Sequence, residues 1–62
     1  MALQNKFLES QRDNQSQVSV FLVNGIKLVG TIKDYDDLVI LLSNYNKEQI
    51  IYKHSISTIV PE

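Results

Sequence analysis

The sequence predicts a mainly β domain in which one short N-terminal helix precedes a strongly bent antiparallel sheet of five strands. Three observations support this fold class. Apolar residues near the N-terminus recur at helical spacing, the rest of the chain is a series of short period-two segments separated by turn residues, and one glycine interrupts the longest segment. Because the chain has only 62 residues, we expect a single domain over residues 1–62.

The composition favours self-association. A chain of this length buries only about 60% of the surface that its unfolded form exposes, so a monomeric core would be marginal. The sequence has no cysteine for a disulfide, and one histidine with scattered carboxylates makes a poor metal site. Apolar residues nevertheless make up 44% of the chain. We therefore expect copies of the chain to associate, without a metal or another cofactor.

Charge and hydropathy argue against several protein classes. The net charge of −1 and the pI near 5.7 do not indicate the basic face of most nucleic-acid-binding proteins, so RNA binding would depend on local arrangement. No apolar run approaches the roughly 18 residues that span a bilayer. Residues 1–6 lack the basic stretch and apolar block of a signal peptide. The sequence thus predicts a cytoplasmic protein without a membrane partner.

The helix is predicted over about residues 3–13. Leu3, Phe7 and Leu8 recur at helical spacing, and polar residues occupy the positions between them. The polar stretch 13–17 is expected to end the helix. With about three turns the helix would be marginal alone, so we expect it to pack on the sheet.

The strands are predicted between about residues 17 and 60, and the first two form a hairpin. Val18, Val20 and Leu22 alternate with polar or aromatic neighbours, which places Phe21 on the outward side. The following Asn24-Gly25 pair is a strong hairpin signal because both residues tolerate positive φ.

The second strand runs from residue 26 to 34 or 35, with Ile26, Leu28 and Ile32 on one face. Gly30 in its middle predicts a sharp bend or a bulge. The apolar segment 38–42 is expected to be covered on both faces. The remaining elements are a turn at Asp36-Asp37, a turn over 44–47, a strand over 49–53, a kink at His54-Ser55 and a last strand over 57–60.

An open barrel of five strands leaves two strand edges without a partner. Such edges are templates for pairing with another chain. Pairing of the last strand of one copy with the fourth strand of the next would be a heterologous contact that closes into a ring.

Two stretches carry a resemblance to a known family. The first runs over residues 20–30, VFLVNGIKLVG, and leads into Tyr35-Asp36 and the segment 39–42. The second runs over residues 51–61, IYKHSISTIVP, in which Tyr-Lys-His followed by Ile-Ser-Thr is the specific element. With the N-terminal Leu3-Gln4 and Phe7-Leu8, these stretches resemble the Hfq family of Sm-like bacterial RNA chaperones over nearly the whole chain.

This resemblance implies a fold and a function. The fold would be the Sm-like, SH3-like small barrel, assembled as a homohexameric ring. The function would be that of an RNA chaperone, not an enzyme, which binds single-stranded RNA and helps small regulatory RNAs to meet messenger RNAs in post-transcriptional regulation.

The resemblance implies a first RNA-binding surface on the side where the helix lies, here called the helix face, which binds uridine-rich RNA near the pore. Copies of Lys53 and His54 around a pore would create a local positive field despite the negative net charge. The family commonly has an aromatic where Leu38 stands and an amide or lysine where Asp37 stands. We therefore predict weakened binding on this surface. Its matching residues are Gln4, Asp37, Leu38, Lys53 and His54.

The second implied surface lies opposite, binds adenine-rich or purine-containing RNA, and is here called the far face. Phe21, Ile26 and Leu28 could stack or pack on bases, although Leu28 could equally be core. Val29 replaces the glutamine of many relatives and so removes an amide that reads adenine. We predict this to be the stronger RNA site. Its matching residues are Phe21, Asn24, Gly25, Ile26, Lys27, Leu28, Val29, Gln49 and Thr58.

The third implied surface is the rim, where relatives carry an arginine-rich patch. In this chain only Arg12 remains basic and Asp13 opposes it. Because affinity from phosphate contacts scales with the number of phosphates neutralised, we predict little RNA annealing there. The matching stretch is Glu9, Arg12, Asp13 and Gln15, with Tyr35 nearby.

Several residues also have a structural interpretation. His54 could be a buried, hydrogen-bonded histidine instead of an RNA contact, and Tyr52 is predicted to lie at the seam between subunits. Asp36 is expected to accept backbone N–H bonds in its turn. The competing function is a structural or protein-docking ring with weakened RNA binding, which the acidic pI and the Asp37-Leu38 pair favour.

An enzymatic function has little support in the sequence. No serine lies in a nucleophile motif, His54 is the only strong general-base candidate, and two glycines cannot form a phosphate-cradling loop.

Overall fold

The computed structural model describes the backbone of residues 2–62 and the side chains from residue 5 onward. Helix α1 spans Ala2–Asn14, and the strands are β1 (Gln17–Leu22), β2 (Lys27–Tyr35), β3 (Val39–Asn44), β4 (Lys47–Tyr52) and β5 (Ile56–Pro61). A 3-10 turn, Lys53–Ser55, joins β4 to β5. The predicted helix, five strands and kink are therefore confirmed. The side chains of Leu3 and Gln4 lie outside the described residues.

The five strands form one antiparallel sheet in the order β4-β3-β2-β1-β5. The sheet does not close on itself, so β4 and β5 are its two edges within one subunit. These are the two strands whose pairing between copies the sequence predicted. Among the residues described, no helix combines the length and the apolar character that crossing a membrane requires.

The core lies between the helix and the concave side of the sheet. Leu8 is fully buried, which explains why a marginal helix of this length is held in place. Phe7 packs against the same cluster from a half-buried position. The other buried apolar residues are Val18, Val20, Ile32, Ile40, Leu42 and Ile51.

Of the two roles predicted for Gly30, a sharp bend or a bulge, the structure excludes the bulge. The bulge in β2 lies between Ile32 and Asp34, whereas Gly30 pairs regularly with Val18. A Cβ atom at Gly30 would lie 2.4 Å from the carbonyl oxygen of Ser43. Glycine is therefore required because two backbone segments of the bent sheet approach each other closely, and not because a residue is inserted.

Two apolar residues predicted to be in strands are exposed instead. Ile26 precedes β2 and is 51% exposed. Its backbone N–H and carbonyl close the hairpin turn with Asn24 and Leu22. Leu38 precedes β3 and is 70% exposed. The prediction that 38–42 is covered on both faces is wrong, since only Ile40 and Leu42 are buried.

Ser19 is buried although its position in β1 predicted an outward side chain. Its hydroxyl donates a hydrogen bond of 2.6 Å to a carboxylate oxygen of Glu62. The backbone N–H of Glu62 in turn donates to the carbonyl of Gln17. The end of β5 thus covers Ser19 and satisfies its hydroxyl, as burial of a polar group requires.

Candidate nucleic-acid interface

Phe21 lies at the centre of a three-strand arrangement on the far face. In the sheet register Phe21 pairs with Lys27 of β2 on one side and with Thr58 of β5 on the other. The Lys27 ammonium lies 5.8 Å from the centroid of the half-buried Phe21 ring. An aromatic ring flanked by a cation and a hydroxyl can stack on a base while the cation meets a phosphate.

The hairpin turn beside Phe21 brings three more far-face residues together. Gly25 has φ +92°, and a Cβ atom there would meet no heavy atom within 4 Å, so this side of the backbone is open to a ligand. The side-chain oxygen of Asn24 accepts the N–H of Ile26 at 3.0 Å. This bond leaves the amide NH₂ of Asn24 as the group that could reach a base edge.

The remaining far-face residues are divided between the two sides of the sheet. Val29 pairs with Ser19 and therefore shares a side with Phe21, whereas Leu28 pairs with Val20 and turns toward the core side. Leu28 is half-buried against the core and also lines a groove with Gln49. One subunit therefore does not bring the nine far-face residues into a single patch.

On the helix face, two loops meet through a backbone contact. The backbone N–H of Lys53 donates to the carbonyl of Leu38 at 2.8 Å. The Lys53 ammonium lies 5.5 Å from the centroid of the Tyr35 ring. Leu38 and its neighbour Asp37 are both exposed, so this surface presents an apolar chain and a carboxylate at these two positions and no aromatic ring.

His54 is exposed in the subunit, which rules out a histidine buried within the turn. Its ring lies 5.7 Å from the ring of Tyr52, with a tilt of 38° between the two planes. Tyr52 is 55% exposed on edge strand β4, a position compatible with its predicted place at a subunit seam. Lys53 and His54 thus contact different aromatic rings although they are adjacent in sequence.

The structural role predicted for Asp36 is confirmed. One carboxylate oxygen accepts the backbone N–H groups of Leu38 and Val39, both at 2.8 Å. These two hydrogen bonds, of which the one from Leu38 has the larger effect, lower the pKa of the Asp36 carboxyl below its ordinary value. The positive charge of nearby Lys53 lowers this pKa further. Asp36 therefore shapes the loop that presents Leu38.

The stabilisation by Asp36 should depend on pH. Because its pKa is lowered in the folded state, its contribution is present above the unfolded value and is lost as pH falls through the folded value. We expect Asp36→Ala to lower the urea midpoint at about pH 7, with a smaller deficit at about pH 3. Asp36→Asn keeps an acceptor oxygen but not the charge, so its urea midpoint should depend less on pH than that of the wild type. A deficit for Asp36→Ala that is equal at both pH values would contradict this role.

At the rim, Arg12 is engaged within its own subunit. Its guanidinium lies 3.3 Å from a carboxylate oxygen of Asp13 and 3.6 Å from one of Asp34. It also lies 5.2 Å from the centroid of the Tyr35 ring, whose hydroxyl donates to the carbonyl of Asn5. A phosphate would have to compete with two carboxylates for Arg12, which supports the prediction of little annealing.

Three residues that sequence reasoning did not select lie beside the far face. Asn44, Tyr45 and Lys47 line the groove that contains Leu28 and Gln49. A bulky aromatic in the predicted turn 44–47, where glycine or asparagine is usual, was the signal that could have found Tyr45. Asp34 at the rim gave no such signal, because its contact with Arg12 depends on how the helix is placed.

Comparisons with known proteins agree with this geometry. The family model described as Hfq protein matches residues 3–62. A crystal structure of the pleiotropic translational regulator Hfq matches with a TM-score of 0.93 and 43% identity, over 97% of this chain and 91% of that chain. A crystal structure of an Hfq protein from Anabaena sp. matches with a TM-score of 0.92 over 100% of both chains. At 18% identity this second match shows the fold alone.

Proposed function

The chain belongs to the Hfq family of Sm-like RNA-binding chaperones, which form oligomeric rings and are not enzymes. From this family membership we propose an oligomeric state for the chain and an RNA preference for each of its three surfaces. The ring is a cytoplasmic homohexamer that binds single-stranded RNA and supports pairing between small regulatory RNAs and messenger RNAs. Its far face is the principal site and takes adenine-rich or purine-containing RNA. Its helix face binds uridine-rich RNA weakly, and its rim adds little.

The observation that carries this proposal is the arrangement of Phe21 between Lys27 and Thr58. It combines a stacking ring, a cation and a hydroxyl, which is the chemistry that single-stranded RNA requires. On the helix face, by contrast, Leu38 supplies no ring and Asp37 places a carboxylate near the approaching phosphate. The difference between these two surfaces supports a preference for adenine over uridine.

Ring closure would unite the two parts of the far face. Thr58 lies on edge strand β5 and Gln49 on edge strand β4. Pairing β5 of one subunit with β4 of the next would bring Phe21, Lys27 and Thr58 of one copy toward Leu28 and Gln49 of its neighbour. The site would then be complete only in the assembled ring.

The test is a fluorescence titration of short oligo-A and oligo-U RNAs, each at low and moderate salt. We expect oligo-A to bind more tightly, and oligo-U to bind weakly with a steep salt dependence. Phe21→Ala should weaken oligo-A binding by about 1–3 kcal/mol for each base that it stacks, and leave oligo-U binding unchanged. Phe21→Leu keeps apolar bulk without a ring and serves as the control for packing.

Each outcome separates the proposal from the competing function. Loss of oligo-A affinity in both Phe21 variants, with the ring intact by light scattering, supports base stacking. If the folded wild-type ring binds neither RNA, the proposal is wrong and the ring serves another partner.

A further inference from the structure

The turn between β3 and β4 carries an aromatic residue that folding does not favour. Tyr45 is 97% exposed and has φ +56°, in the left-handed region that side chains with a Cβ atom rarely adopt. Glycine or asparagine would occupy this position with less strain. Since the ring of Tyr45 is almost fully exposed, burial within the subunit does not offset that strain.

This turn is held firmly against β2. The pairing of β3 with β4 continues to Asn44 and Lys47, so the turn has only two residues between the strands. The side-chain amide of Asn44 donates a hydrogen bond to the carbonyl of Val29, a far-face residue. The backbone of Tyr45 therefore has a defined position in a two-residue turn and does not lie on a long loop.

Tyr45 lines the same groove as two residues of the far face. The groove is formed by Leu28, Asn44, Tyr45, Asn46, Lys47 and Gln49. It combines an aromatic ring, an apolar side chain, three amides and one ammonium group. A ring for stacking with a nearby cation for phosphate is the combination that proteins use to hold single-stranded nucleic acid.

We propose that Tyr45 is an RNA-binding residue that stacks one further base of the RNA on the far face, while Lys47 meets the adjoining phosphate. The inference rests on the proposed function and extends it to the β3–β4 turn. Within one subunit the groove lies on the side of the sheet that carries Leu28 and Gln49. Ring closure, as proposed above, would join it to the Phe21 site of the neighbouring copy, so that the extra base would belong to the same strand of RNA.

The test compares Tyr45→Asn with Tyr45→Phe in the intact ring, using a labelled oligo-A long enough to pass the groove. Tyr45→Asn should weaken binding at least about fivefold, as expected for one lost stacking contact. Asparagine tolerates positive φ, so the urea midpoint of this variant should be equal to or higher than that of the wild type. Tyr45→Phe keeps the ring and should bind like the wild type.

A second variant reports the contact directly. The chain has no tryptophan, so Tyr45→Trp introduces a single reporter into each subunit. Its fluorescence should be quenched on addition of oligo-A, because the indole would stack on a base, and much less on addition of oligo-U at the same concentration.

The outcomes distinguish this inference from the proposed function. If Tyr45→Asn binds oligo-A normally and Phe21→Ala binds it more weakly, the proposed role of Tyr45 is overturned and the proposed function of the far face is not. A changed assembly size in Tyr45→Asn would also overturn it, because Tyr45 would then be a contact between subunits. If the wild-type ring does not bind oligo-A, both proposals are wrong.

Discussion

Gly30→Ala is expected to destabilise the folded protein strongly. The added Cβ atom would lie 2.4 Å from the backbone oxygen of Ser43 and 3.1 Å from a side-chain carbon of Leu42. Overpacking a well-filled interior costs about 1–3 kcal/mol and sometimes more. Here the obstacle includes a backbone carbonyl, which cannot move aside by changing a rotamer, so the cost should lie at the upper end or above it.

The small size of the subunit makes this cost a large share of its total stability. Native stability is about 0.05–0.15 kcal/mol per residue, which corresponds to about 3–9 kcal/mol for a chain of this length. The loss should therefore be visible by circular dichroism as a large drop in the thermal midpoint, and by size-exclusion chromatography as a loss of the assembled form.

Gly25→Ala is the matched control. Gly25 has φ +92° but no heavy atom within 4 Å of the added Cβ, so only backbone strain is introduced. We expect a cost of about 1–2 kcal/mol, clearly smaller than that at Gly30. If the two variants have equal midpoints, the close approach of β2 and β3 is not what requires Gly30.

These two glycines illustrate what the sequence can and cannot predict. The Asn24-Gly25 pair predicted its hairpin correctly because the requirement for positive φ is local to the turn. Gly30 was recognised as special, but a glycine signal does not distinguish a bulge from a close approach. The deciding atom, the carbonyl oxygen of Ser43, belongs to another strand.

The same limit applies to the polar contacts. The hydrogen bonds of Asp36 were predictable because its partners are two and three residues away. Ser19 and Glu62 are 43 residues apart, and no period-two pattern relates them. Contacts of Arg12 with Asp34 likewise depend on how the helix lies on the sheet, which periodicity does not specify.

For the candidate site, sequence motifs selected the residues but did not predict how they are grouped. The resemblance selected Phe21, Lys27 and Thr58, and the sheet register explains why they are neighbours. It also selected Leu28, which the register places on the other side of the sheet. The division of the far-face residues between the two sides of the sheet depends on strand pairing, which the motifs do not specify.

Leu38→Phe is expected to tighten binding of oligo-U by at least about tenfold, since a stacked base contributes about 1–3 kcal/mol and a uridine tract meets several subunits of the ring. Leu38 is 70% exposed, so a larger side chain can be placed there without disturbing the core. Its carbonyl accepts the N–H of Lys53, which places a new ring close to a cation that can meet the phosphate.

Leu38→Met is the control, because methionine is flexible and apolar but offers no ring. It should bind oligo-U like the wild type, and neither variant should change oligo-A binding on the far face. Adding Asp37→Asn to Leu38→Phe should tighten oligo-U binding further, because a carboxylate near the phosphate is removed. If Leu38→Phe leaves oligo-U affinity unchanged while the double variant improves it, repulsion by Asp37 and not the missing ring limits the helix face.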